Sequence, residues 1–314
     1  MTVSVLGAGA FGTALAIALA EDGRPVTLWA RDMADMDVKR ENSKRLPGFP
    51  FPPSLSVTTN MEDAIAPIIL LVVPMQTLST FLSDSAQHFA GKTLVACCKG
   101  IEISTGRGPA QIIRETCPDA LPALLSGPSF AVDIAAGLPT AMTLAAEDPE
   151  PLQVALSTDT LRLYRSTDMD GVEVGGALKN VIAIACGLTI GAGLGESARA
   201  ALMTRGFAEM TRFAQARGAK SGTLEGLSGF GDLALTCTSQ KSRNFAFGYA
   251  LGRGETGAQD LTIEGRHTAK AVSIAAKTAG IEMPIADMVV AIVEGNISIN
   301  EAVSLLLNRP LKEE

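Results

Sequence analysis

The sequence holds only two histidines, one tryptophan and two tyrosines among its 314 residues. So few histidines leave no basis for a His-rich metal site, and no metal is expected. The scarcity of aromatics argues against nucleic-acid recognition by base stacking. Positive charge is also short. With 26 Lys and Arg against 33 Asp and Glu, the net charge is −7, which excludes a basic coat for nucleic acid or for a membrane surface. Any phosphate site must therefore draw on local donors.

The five cysteines are odd in number and form no CxxC, and Cys97 and Cys98 are adjacent inside an apolar run. They read as reduced, buried thiols of a cytoplasmic protein. The uncharged stretch from Val3 to Ala20 ends Ala18-Leu19-Ala20, like a signal-peptide cleavage site. No Lys or Arg precedes it, however, and three glycines interrupt it at patterned spacing, so it reads as part of the fold. The longest near-apolar run elsewhere, Val181 to Gly195, is too short for a membrane span, and no stable membrane insertion is expected.

What the chain does have is 47% hydrophobic residues, 19% charged residues and 31 glycines. Such a chain buries a large core, and its length suits about two domains of ~150 residues each. The first half alternates β-rich runs with helical stretches. The expected strands are Val3 to Leu6, Val26 to Ala30, Ile68 to Val73, Thr93 to Lys99, Leu121 to Ser126 and Pro139 to Ala145. Apolar strands separated by helices predict a parallel sheet covered on both faces. The proline-rich segment from Leu46 to Ser54 is a loop. Beyond about Gly171 the pattern becomes helical, over Val172 to Gly193, Ala198 to Arg217, Ala269 to Ala279 and Ile285 to Glu294. The reading is an α/β Rossmann-type domain over 1–171, followed by a mainly α-helical domain over 172–314.

Gly7, Gly9 and Gly12 form GxGxxG directly after the first strand and at a helix start. The first glycine permits the turn, the second lets a pyrophosphate approach, and the third allows close helix–strand packing. A glycine-rich packing turn is the plainer alternative. At the end of the second strand stand Arg31 and Asp32. An acid there binds the ribose hydroxyl of NAD and an arginine the 2′-phosphate of NADP, so both cofactors stay open, as does a solvated ion pair.

Three later segments place polar residues in apolar surroundings. Lys99 ends a strand on the side where open α/β sheets bind ligands. Lys179 lies in one of the most apolar helical stretches, where it must snorkel or find partners. Asp232 and Thr236, if helical, share a face at i, i+4, although Asp232 could simply cap. Lys99 and Arg243 could equally be solvated surface charges. Two neighbouring ammonium groups could polarise a ketone oxygen and lower one another's pKa, an effect that Asp232 would oppose.

The segments GAGAFGTALA, CCKGIE, SGPSFA, GGALKNVIAI and GFGDLALTCTSQKSRNFAFG, running from Gly7 to beyond Glu264, resemble the bacterial NAD(P)-dependent glycerol-3-phosphate dehydrogenase family. The resemblance implies reversible reduction of dihydroxyacetone phosphate to sn-glycerol 3-phosphate, supplying phospholipid synthesis, by a homodimer using NAD or NADP. It implies Lys179 as general acid/base and Lys99 as the group that polarises the oxygen, with Asp232, Thr236 and Asn180 orienting Lys179. Ser242, Arg243 and Asn244 would meet the phosphate and glycerol chain, and Gly127 and Ser129 would line the substrate pocket. Ala10, Phe11, Ala131, Lys99, Arg243, Thr262 and Glu264 would lie on the cofactor. The family carries an aromatic residue where Phe11 stands, and commonly His-Arg where this chain has Arg31-Asp32. Two other readings remain at this point. One is a different two-domain hydroxyacid or sugar-acid dehydrogenase, which would not need Arg243 for a phosphate. The other is a redox sensor without turnover, which would not need Lys99, Lys179 and Asp232 together.

Overall fold

The computed structural model describes residues 2–33, 35–255 and 263–307. The first half runs β1 (Val3–Leu6), α1 (Ala10–Ala20), β2 (Val26–Trp29), α2 (Met36–Lys39), β3 (Leu55–Thr58), β4 (Ile68–Leu71) and α3 (Leu78–Ser85). It continues through β5 (Thr93–Ala96), α4 (Pro109–Thr116), β6 (Leu121–Ser126), α5 (Ala131–Ala135), β7 (Thr140–Ala145), α6 (Glu150–Leu156) and β8 (Leu161–Ser166). These strands form one sheet in the order β3-β2-β1-β4-β5-β6-β7-β8. The first six follow the doubly wound order, whose topological switch lies between β1 and β4. Side chains alternate between the two faces: Val3, Val5, Ile68 and Leu70 pack with α1, while Leu6, Ile69 and Leu71 pack with α3 and α4.

The all-parallel expectation fails at one pair, for β6 and β7 are antiparallel. Between them the chain holds only the five-residue α5, which turns it back at the same end of the sheet instead of crossing over. β3 and β8 were not read from the sequence. Both are edge strands, β3 buried at Leu55 alone and β8 alternating in burial, so neither shows the continuous apolar run of β1 or β4. The expected strand at Thr93 to Lys99 stops at Ala96, and Cys97 to Lys99 continue as loop.

The second half is helical: α7 (Met169–Gly191), α8 (Glu196–Ala216), α9 (Asp232–Cys237), α10 (Arg243–Gly252), α11 (Glu264–Ala279), α12 (Pro284–Val293) and α13 (Ile299–Leu307). The change of texture comes a few residues before 172, between the end of β8 at Ser166 and the start of α7 at Met169. Among the described residues α7 is the one helix long and apolar enough to cross a membrane, but 89% of its most apolar window is buried within this fold. It is the axis of the helical core.

α10 lies against α7 almost backbone to backbone. A Cβ on Gly187 would stand 2.1 Å from Phe245 O, and one on Gly248 would stand 2.1 Å from Ile184 O. Gly191 and Gly252 repeat the contact one turn on. This close seating delivers the start of α10, with Arg243 and Asn244, to the level of Asn180. On the opposite side, the buried Glu209 of α8 accepts from Ile285 N at 2.8 Å and from Ala286 N at 3.4 Å, holding the first turn of α12.

Candidate functional site

At the switch point the chain leaves β1 through Gly7, whose φ of +124° disfavours any side chain, and a Cβ there would meet Val72 O at 2.3 Å. A Cβ on Gly12 would stand 2.0 Å from Gly7 O, so the helix can only approach the strand this closely without one. Gly9 is the opposite case. It is exposed, nothing lies within 4 Å of its Cβ position, and no side chain caps the start of α1. The first-turn amides of α1 are thus open to an anion, while Phe11 behind them packs into the core. Ala131 packs against the same core at the start of α5. Arg31 and Asp32 are both exposed, just past Trp29, the register partner of Leu6. The cradle fits a dinucleotide.

Four of the expected residues converge where the sheet meets the helices. Lys179 Nζ, in the middle of α7, donates to Asp232 Oδ1 at 2.5 Å and to Thr236 Oγ1 at 3.1 Å. Lys99 Nζ, from the loop after β5, donates to Asp232 Oδ2 at 2.6 Å and to Gly127 O at 3.4 Å. Asp232 and Thr236 share one face of α9, as their spacing requires, and Thr236 Oγ1 also donates to Asp232 Oδ1 at 3.3 Å. One carboxylate therefore holds two ammonium groups, and the Asp232 side chain is 1% exposed.

Burial lowers the pKa of Lys179 to about 8, with Lys99 adding to the fall and Asp232 opposing it. Burial works against the Asp232 carboxylate too, but Lys179 and Lys99 outweigh it and hold the group below the usual range. The result is a buried lysine that changes charge near neutral pH, beside a second lysine and a fixed anion. Such a group can give a proton to an oxygen that gains negative charge and take it back in reverse. The adjacent thiols are not nucleophiles: burial pushes Cys97 up to about 12 and Cys98 well above its ordinary value.

Other expected residues take different places. The Asn180 side chain bonds away from Lys179, toward α10. Its Oδ1 accepts from Asn244 Nδ2 at 2.9 Å, and Asn244 Oδ1 accepts from Gly265 N at 3.0 Å, so the two amides tie α7, α10 and α11 together. Ser242 Oγ accepts from Phe245 N at 3.3 Å as the cap of α10, which leaves its O–H free to donate. Ser129 Oγ donates to Gly127 O at 3.0 Å, in the loop that also receives Lys99. Arg243 is exposed at the first position of α10. The half-buried Glu264 opens α11. Burial raises the pKa of its carboxyl, while the charges of Arg243, Lys99 and Lys179 oppose the rise. Thr262 lies outside the described residues.

Sequence reasoning missed Ser126, Glu173 and Gly176, which line a small cavity together with Lys99. Only the paired glycines Gly175-Gly176 inside an apolar helix could have signalled a close approach there. It also missed Gln76. That side chain donates from Nε2 to Ile101 O at 2.8 Å and accepts from Ile103 N at 3.1 Å, clamping the loop that follows Lys99.

Comparison with known proteins gives a consistent set of similarities. The family model described as NAD-dependent glycerol-3-phosphate dehydrogenase N-terminus matches residues 2–151, and that described as the C-terminus of the same enzyme matches 168–304. A glycerol-3-phosphate dehydrogenase (NAD(P)+) of Ruegeria sp. (strain TM1040) is 58% identical, with 100% of both chains covered. That of Paracoccus denitrificans (strain Pd 1222) is 55% identical over the same full coverage. Among solved structures, the glycerol-3-phosphate dehydrogenase of Coxiella burnetii superposes with a TM-score of 0.93 at 36% identity, covering 98% of this chain and 99% of that one. A ketopantoate reductase of Ralstonia eutropha, 16% identical with a TM-score of 0.61, shares the fold alone.

Proposed function

The chain belongs to the NAD-dependent glycerol-3-phosphate dehydrogenase family, and from that premise we propose the part each residue plays in its reaction. The enzyme interconverts dihydroxyacetone phosphate and glycerol 3-phosphate with NAD(P). Gly7, Gly9, Ala10, Phe11 and Gly12 would hold the pyrophosphate of NAD(P), which when bound would supply or accept a hydride at the substrate C2. Lys179 gives the C2 oxygen its proton during reduction and removes it during oxidation. Lys99 donates to the same oxygen and stabilises its developing charge. Asp232 keeps both ammonium groups in place, and Thr236 fixes the direction of Lys179. Gly127 and Ser129 line the pocket. Arg243 and Asn244 face the phosphate and glycerol chain, and Glu264 sits on the nicotinamide side. Ser242 contributes by capping α10, and Asn180 by holding Asn244. The single observation that carries this reading is the pairing of Lys179 and Lys99 on the one buried carboxylate of Asp232.

The test is oxidation of NADH and NADPH followed with dihydroxyacetone phosphate and with unphosphorylated dihydroxyacetone. Arg243→Ala is expected to lower kcat/KM for the phosphate ester by roughly 1.5–3 kcal/mol, about 10- to 150-fold, as for loss of a charged hydrogen bond. Arg243→Lys recovers part of it, because a point charge lacks the bidentate fork. The unphosphorylated ketone, poor to begin with, should change little. Equal losses on both substrates would remove Arg243 from the phosphate.

Cofactor choice is tested separately. If Arg31 clamps a 2′-phosphate, Arg31→Ala weakens NADPH by roughly 1.5–3 kcal/mol and leaves NADH almost unchanged. Losses of the same size on both would place Arg31 on the shared adenosine instead. The same reading includes a homodimer in the cytoplasm, for which light scattering gives the oligomeric state.

A further inference from the structure

Beside the stem of Lys99 lies a small cavity bordered by Cys98, Lys99, Pro109, Ser126, Glu173 and Gly176. Its volume is about 10 Å³, the space of a single water molecule. Two polar groups point to what fills it. Ser126 Oγ is wholly buried, and no group among the described residues hydrogen-bonds to it. Glu173 uses Oε2 to accept from Ala110 N at 2.9 Å, at the start of α4. Burial raises the Glu173 pKa to about 7, and in either protonation state its carboxyl group has room for more partners than that one. Gly176 makes the space: a Cβ there would stand 2.7 Å from Ser126 Oγ and 3.6 Å from Lys99 Cγ.

We propose that Ser126 and Glu173 hold one buried water molecule in this cavity, and that they are positioning residues that keep Lys99 aimed at the substrate oxygen. The proposal rests on the role given to Lys99 above. The water accepts from or donates to Ser126 Oγ and donates to the Glu173 carboxylate, which meets the need of a buried hydroxyl for a partner. It also fills the space into which the Lys99 stem would otherwise turn. At its tip Lys99 is held by Asp232 Oδ2 and Gly127 O, and Gly127 directly follows Ser126 in the chain. Support at the stem and at the tip thus comes from one turn of backbone.

Three variants test this, with kcat and KM for dihydroxyacetone phosphate, the NADH Kd from nicotinamide fluorescence, and Tm measured for each. Ser126→Ala and Glu173→Leu are expected to lower kcat/KM about 10-fold, chiefly through kcat, with the NADH Kd unchanged. Glu173→Gln keeps an acceptor for Ala110 N and presents an N–H₂ that can donate to the water, so it should stay within about threefold of wild type. A crystal structure of the wild type should place an ordered water between Ser126 Oγ and Glu173. Absence of that water, or a Ser126→Ala enzyme with wild-type kcat/KM, would overturn the proposal. So would a fall in Tm across the variants with kcat and KM both unmoved, since that marks a structural role only. Wild-type turnover of dihydroxyacetone phosphate, measured alongside, tells a failure here from a failure of the proposed roles.

Discussion

Lys179→Met is expected to lower turnover by about 10²–10⁴-fold, the range for loss of general acid/base catalysis, with NADH affinity almost unchanged. Methionine matches the length and apolar stem of lysine, so the packing of α7 survives while the proton donor goes. The pH dependence is the finer check. The pKa of Lys179 lies near 8 because burial favours its neutral form. Reduction needs the ammonium, so kcat/KM for the ketone should fall as pH rises through about 8. Oxidation needs the amine, so kcat/KM for glycerol 3-phosphate should rise through the same region and level off above it. The two limbs belong to one group and should mirror each other. A variant that keeps more than about a tenth of wild-type turnover would remove Lys179 from proton transfer, as would identical limbs in both directions.

The parts of this molecule that were legible in the sequence share a physical cause. β1 and β4 are buried on both faces and so read as unbroken apolar runs, and GxGxxG sits where strand, turn and helix all constrain the chain. Lys179 stood out because a charge in an apolar helix needs partners, and Asp232 and Thr236 because i, i+4 spacing puts them on one face. What could not be read depends on contacts between distant segments. The edge strand β3 buries Leu55 alone and β8 alternates in burial, so neither gives a run. The return of β7 depends on how α5 turns the chain. The close seating of α10 depends on Gly187 meeting Phe245 and Gly248 meeting Ile184, which local patterns do not register. Ser242 and Asn180 are instructive in another way. Both carry the polar groups the chemistry could use, yet the fold engages Ser242 Oγ as a helix cap and Asn180 Oδ1 as the acceptor for Asn244.

Asp232→Asn should be the most damaging single-atom exchange in the site. The carboxylate is buried and accepts from Lys179 and Lys99 at 2.5 and 2.6 Å. The amide has the same shape, so any effect comes from charge and from the N–H₂ that replaces one acceptor. Two ammonium groups would then face each other without a counter-ion, and one must give way. Lys179 is the one expected to yield, because it already lies well below its ordinary pKa and Asp232 is the group that opposes the fall. At neutral pH the variant thus holds Lys179 largely as the amine, and reduction loses its proton donor. A fall of about 10²-fold or more in the reduction rate follows, within the range for lost acid/base catalysis. The basic limb of the reduction profile should also move to lower pH. Stability should fall as well, because removing one partner of a buried ion pair costs roughly 3–5 kcal/mol. Deprotonation of Lys179 relieves part of that cost, so the loss of stability should shrink as pH rises, while the loss of reduction activity grows. Thr236→Val, which removes the hydrogen bonds of Thr236 Oγ1 with Lys179 and Asp232 but no charge, sets the lower reference at about 1–2 kcal/mol. If Asp232→Asn leaves the limb near its wild-type pH, the carboxylate does not govern the charge of Lys179, and the coupling of these three groups would have to be abandoned.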